Sequence, residues 1–139
     1  MSASKTLTIN PNPTVDVGSS IAAICQGGTT AALGGSFGGG ATSAVWTDGG
    51  AGGTFSNNSG NTPNTATYTA AANAPNSVTL TLTTAGGSCQ TVSDSKTISV
   101  NPTPTVNVGG AIAAICQGGT IRRIRRLVWW RSYISSLDG

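Results

Sequence analysis

Apolar residues in this chain fall in short runs in which nearly every second position is polar. SVTLTLTT (77–84) is the plainest run: Val78, Leu80 and Leu82 face one way and threonines the other, the period-2 signature of a half-buried strand. SAVWT (43–47), TFS (54–56) and TATYTA (65–70) read as further strands, and so does the return segment 90–100 with Val92, Ile98 and Val100. Shorter strands are expected at 14–17, 21–25 and 29–33. Glycine and polar clusters separate them, at Gly34–Gly35, 49–53, NNSGNTPN (57–64) and AGGS (85–88). No segment carries a helical period. The pattern predicts an all-β, antiparallel sandwich of about seven strands. The residues on its apolar faces are Leu33, Trp46, Tyr68, Val78, Leu80, Leu82, Ile98 and Val100, which form the expected core.

An internal repeat sets the domain plan. SASKTLTINPNPTVDVGSSIAAICQGGT (2–29) and SDSKTISVNPTPTVNVGGAIAAICQGGT (93–120) agree at 20 of 28 positions, at a constant offset of 91. The seam between copies is the NPxP linker at Asn10–Pro13 and Asn101–Pro104, where proline stiffens the connection and removes backbone donors. Residues 1–10 then read as the last strand of a preceding repeat, 11–101 as one complete module, and 102–120 as the start of the next. Met1 falls where the repeat is already running, as an internal start or a truncated gene model would place it.

After Thr120 the third copy is expected to continue as Thr30–Asp48 does, yet the chain reads IRRIRRLVWWRSYISSLDG. Codons for this tail exist that, read one base later, translate in order as Ala31 to Thr47 at the same offset of 91 and then open an Asp codon at the place of Asp48. Eighteen consecutive agreements of this kind make residues 121–139 an out-of-frame tail, in which shifted glycine codons have become Arg and Trp.

That reading changes the meaning of the charge. The chain of 139 residues is formally +3. Arg122, Arg123, Arg125, Arg126 and Arg131 against Asp138 give the tail +4, so residues 1–120 carry −1, from Lys5 and Lys96 against Asp16, Asp48 and Asp94. The basic balance belongs to the tail, and with it any case for a membrane- or nucleic-acid-binding segment. Charged residues are only 8% of the chain, and His and Glu are absent. No imidazole is available as general base, as partner to a cysteine nucleophile, or as metal ligand, so no catalytic, cofactor-binding or metal-binding residue is expected. No apolar run is long enough for a transmembrane helix, and the N-terminus lacks the apolar core of a signal peptide.

Cysteine usage is even within a module. Cys25 and Cys89 make one pair, and Cys116 repeats Cys25. A pair in a charge-poor Thr/Gly domain predicts a Cys25–Cys89 disulfide and an oxidising compartment, with two buried free thiols as the alternative. Other features have bland readings beside sharper ones. Trp46 belongs in the core rather than on a sugar-binding surface. Asp48 with Asn57, Asn58 and Asn61 lacks the spacing of a Ca²⁺ loop and reads as a polar turn. Asn57-Asn58-Ser59 is a glycosylation sequon, a short and weak motif. GGSFGGG (34–40) and GGAGG (49–53) lack the Lys-Ser/Thr of a phosphate loop and read as turns. Asp94 and Lys96 share a face of the last strand and read as a solvated pair.

Cys25, Trp46, Tyr68, the strand SVTLTLTT and Cys89, with VWTDGG (45–50) and ATYTAA (66–71), resemble the Ig-like and PKD-like tandem repeats of large bacterial cell-surface proteins, of the adhesin or gliding type. The turn W-T-D-G-G departs from the W-x-F-G-D-G common in PKD members, and the Cys25-to-Trp46 distance exceeds that of antibody domains. The resemblance covers about 11–101 and implies an Ig-like sandwich in a non-catalytic spacer module of a long exported surface protein. Its partners would be adjacent repeats of the same polypeptide, with no specific nucleic acid and no membrane. One alternative is a module binding a surface glycan or protein through the 49–64 loops, where Phe55 is the only aromatic. The other is a basic membrane- or nucleic-acid-binding tail fused to a sandwich.

Overall fold

A computed structural model describes residues 1–121 and the backbone of 127–129. The chain divides into two units, Met1–Pro102 and Thr103–Gly139. The first holds eight strands: β1 (Thr14–Asp16), β2 (Ile24–Cys25), β3 (Ser36–Gly38), β4 (Ser43–Thr47), β5 (Thr54–Ser56), β6 (Thr67–Thr69), β7 (Ser77–Ala85) and β8 (Ser93–Asn101). A single 3-10 turn spans Pro63–Thr65, and no α-helix occurs among the described residues. The fold is all-β and sandwich-like. One layer is the four-stranded sheet β2-β8-β7-β4; the pairs β1-β3 and β5-β6 supply the opposing strands.

Alternation decides which face is inside. Along β7 buried and accessible positions alternate, so Val78, Leu80, Leu82 and Thr84 point inward. Ala44 and Trp46 do the same on β4, and Ile98 and Val100 on β8. Leu33, Ala66, Tyr68, Ala70 and Ala74 meet them from the other layer in one contiguous cluster. All eight expected core residues are 2% exposed or less. Thr84 is buried as well, and its polar groups are met within the hairpin: its hydroxyl donates to the Val92 carbonyl and accepts the Val92 N–H.

Three expectations are corrected by the strand map. Residues 29–33 form no strand. Their backbone follows Tyr68 and Ala66 through single bonds, Thr30 N–H to the Tyr68 carbonyl and Leu33 N–H to the Ala66 carbonyl. The buried Thr30 hydroxyl accepts the Tyr68 N–H in place of a carbonyl, which interrupts a regular ladder. The neighbouring GGSFGGG run, expected as a turn, contains β3, because β1 offers a ladder in which Phe37 stands opposite Val15. The sandwich is also not wholly antiparallel: β2 runs parallel to the end of β8, with Ile24 opposite Val100 and Cys25 opposite Asn101.

The linker segment before the module is packed against it. Gly40 N–H donates to the Asn12 carbonyl, and Gly39 adopts φ of 64° where a Cβ would overlap that same carbonyl, so only glycine fits. Residues 1–10, expected as a strand, are exposed and form none. Their counterpart one repeat later, β8, pairs with β7 along its length.

In the second unit β9 (Thr105–Asn107) pairs antiparallel with β10 (Leu127–Trp129). All of residues 102–121 are exposed. Val108 is 78% exposed, whereas Val17, the same residue one repeat earlier, is 9% exposed. The difference lies in what surrounds each copy, since the local sequences nearly coincide. The remainder of the expected out-of-frame tail, 122–126 and 130–139, lies outside the described residues.

Candidate functional site

The most structured polar feature of the first unit is the turn after β4. Asp48 closes it. Its Oδ1 accepts the Gly50 N–H at 3.1 Å, and its Oδ2 accepts the Gly53 N–H at 2.9 Å and the Tyr68 hydroxyl at 3.3 Å. Gly53 lies directly under the tyrosine, where a Cβ would overlap the phenol. The carboxylate thus ties the turn to the core across 20 residues of chain, and its lone pairs are turned inward.

Asn58 does a related job on β4. Its Oδ1 accepts the Trp46 N–H and its Nδ2 donates to the Trp46 carbonyl, both at 2.9 Å, so the side-chain amide imitates a neighbouring strand at the sheet edge. Asp48 and Asn58 are therefore engaged in holding the fold. Asn57 and Asn61 are exposed, Asn57 in the left-handed region at φ of 55°. Among the described residues no cluster of three His, Cys, Asp or Glu side chains exists to hold a metal.

Trp46 is a core residue. It is 1% exposed, and its indole Nε1 donates to the Pro63 carbonyl at 2.9 Å. Phe55 is half-buried with its ring centroid 5.0 Å from that of Tyr68, so the aromatic on which a glycan site would depend is spent on packing.

Lys96 departs from the expected pairing with Asp94. Its ammonium donates instead to the Leu33 carbonyl at 2.6 Å and the Ser19 carbonyl at 3.0 Å, and lies 5.3 Å from the Trp46 ring centre. Asp94 accepts the neighbouring Ser95 N–H. Burial lowers the Lys96 pKa, and the Asp16 charge opposes that shift. An open groove of about 350 Å³ runs between Gly18–Ala22 and Ala31–Gly34, segments that include the Ser19 and Leu33 residues whose carbonyls Lys96 holds. Small and aliphatic residues line it, with no charged or aromatic side chain to orient a ligand.

The expected Cys25–Cys89 disulfide is corrected. Both thiols are free. Cys25 stands opposite Asn101 at the exit end of β8. Cys89 lies in the loop before the other end of β8, with its Sγ donating to the Asn10 carbonyl at 3.8 Å. Nine extended residues separate these ends by about 26–30 Å, against the roughly 7 Å Cα limit of a disulfide. Nor are the thiols both buried, since Cys25 is exposed and Cys89 half-exposed. Cysteine counting could pair the two by number; only the register of β2 on β8 shows that they occupy opposite ends.

Tyr68 yields a pH prediction. Burial, then the Asp48 charge and hydrogen bond, push its pKa from 10.0 up to about 12. The fold therefore favours the neutral phenol: its contribution is complete below pH 10 and is lost as pH rises through about 12. Lys96 acts with the opposite sign, because its lowered pKa makes stability rise with pH up to the ordinary 10.5. Between about pH 10.5 and 12 only the tyrosine effect remains, and stability should fall. Asp48→Asn should bring the phenol back toward its ordinary value. Ultraviolet phenolate titration of the full chain minus that of Tyr68→Phe checks this, and a Tyr68 that ionises near 10 contradicts it.

No family model, no curated protein and no solved structure matches the chain.

Proposed function

We propose that residues 11–101 are a non-catalytic spacer module of a long repeat protein displayed outside the cell, an Ig-like or PKD-like bead in a tandem array. The observation that carries this reading is where the repeat seams lie. The entry seam at Asn10–Pro13 sits beside the loop between β7 and β8 through the Cys89–Asn10 contact, and beside the turn between β3 and β4 through the Gly40–Asn12 contact. The exit seam at Asn101 follows the far end of β8. Entry and exit are therefore separated by the length of β8, about 30 Å. A module threaded in this way lengthens an array with each copy instead of folding back on itself, and proline at each seam restrains bending. The polar groups that are held in place, Asp48, Asn58 and Lys96, all serve turns, edges and loops of the fold.

The test is solution scattering on the chain extended in register, residues 1–120 followed by a second copy of residues 30–101, and on a version with one module more. The maximum dimension should grow by about 30–40 Å per added module. Growth below about 15 Å, the result of side-by-side packing, contradicts the reading.

A further inference from the structure

Resting on the tandem-array reading, we propose that neighbouring modules are joined by a disulfide across each seam, between the Cys25 thiol of one module and the Cys89-type thiol of the next. Two observations, each internal to the first unit, meet at one atom of the repeat. Cys89 Sγ lies 3.8 Å from the carbonyl oxygen of Asn10. The offset of 91 maps Asn10 onto Asn101, so the Cys89-type thiol of a following module lies beside the Asn101 carbonyl. That same carbonyl accepts the Gln26 N–H at 2.8 Å, directly after Cys25, and Cys25 faces Asn101 in the β2-β8 ladder.

The shared carbonyl limits the distance from the Cys25 Cα to the incoming Sγ to at most about 9 Å, from the two hydrogen-bond lengths and one backbone step. Side-chain rotation and a small bend at the seam bring this into the bonding range. Pairing within a module is closed off by the length of β8, while both thiols are accessible at the module ends. Cys25 sits where the next copy begins, and Cys89 where the preceding copy ends.

Bond formation joins the two sulfurs and breaks two S–H bonds. The two electrons and two protons pass to a low-molecular-weight disulfide such as oxidised glutathione, which leaves as two thiols. Across a seam the partner of Cys25 is the Cys89-type thiol of the following module, and the partner of Cys89 is the Cys25-type thiol of the preceding one.

The extended chain, residues 1–120 followed by a second copy of residues 30–101, carries Cys25, Cys89, Cys116 and a second copy of Cys89. After incubation with oxidised glutathione, alkylation and mass mapping should find one disulfide, between Cys25 and the second copy of Cys89, with Cys89 and Cys116 still free. Cys25→Ser should abolish the link, and Cys116→Ser should leave it intact. A folded array with four free thiols overturns the proposal, and so does a link within either module. An array whose circular dichroism lacks a folded second module also overturns it, because the seam geometry needs two folded modules. Scattering in reducing buffer tests the spacer reading without the bond, so an elongated array that never cross-links sinks the disulfide and leaves the spacer standing.

Discussion

Trp46→Ala is expected to cost about 3–5 kcal/mol of folding stability, a large part of the roughly 5–15 kcal/mol that holds a typical domain folded. Three losses combine. The indole is 1% exposed and stands opposite Leu82 in the β4-β7 ladder, so its removal leaves a cavity in the core beneath β4. The Pro63 carbonyl loses the indole N–H while Pro63 stays buried. The Lys96 ammonium loses the ring beneath it at 5.3 Å, in a place where burial already disfavours its charge. Trp46→Phe separates these effects, because it keeps much of the ring volume but removes the indole donor from the Pro63 carbonyl, which retains only the Ala66 N–H at 3.4 Å, at about 0.5–1.5 kcal/mol. Leu80→Ala, at a residue with no exposed surface, should cost about 2–5 kcal/mol. Val45→Thr, on the outer face between the two inward residues of β4, should stay within about 0.5 kcal/mol. Chemical denaturation of the four variants checks the order. A Trp46→Ala chain that loses less than about 1 kcal/mol contradicts the assignment of this residue to the core.

Much of the architecture is readable wherever strand period and burial coincide. β4 and β5 run over the residues that their patterns mark, and β7 extends its pattern by one residue. What the pattern misses depends on long-range partners. Ser36–Gly38 looks like a loop because Phe37 stands among glycines; it becomes β3 because β1 supplies a ladder. Thr29–Leu33 looks like a strand, but the Thr30 hydroxyl satisfies the Tyr68 N–H that a regular ladder would take. Lys96 appears to be a solvated charge because sequence spacing shows Asp94 and conceals the Leu33 and Ser19 carbonyls, which lie more than 60 positions away. The small buried residues Ala66, Ala70 and Ala74 carry too little apolar signal to declare themselves. Asn58 is visible as a polar loop residue, and its clamp on Trp46 appears only once the loop folds back on the edge of β4.

The repeat provides its own control for the claim that tertiary context, and not local propensity, orders this sequence. TVDVGSSIAAICQGG and TVNVGGAIAAICQGG occur in one chain. In the first, Val15 and Val17 pack on or within the core; in the second, Val106 and Val108 are 73% and 78% exposed. Burial of a valine contributes about 1.5–3 kcal/mol, so the first copy is held by interactions that the second lacks. Two-stranded ladders such as β9-β10 are marginal without a third partner.

Amide hydrogen exchange on the full chain tests the central claim most directly, that one complete module is folded here with pieces of its neighbours on either side. Amides of the ladders β4-β7 and β7-β8 should exchange only through global unfolding, orders of magnitude more slowly than unstructured peptide. Amides of residues 2–10 and 105–118 should exchange at nearly unstructured rates, although 105–118 repeats 14–27 almost residue for residue. Protection of 105–118 equal to that of 14–27, or fast exchange in β7 and β8, would contradict the account.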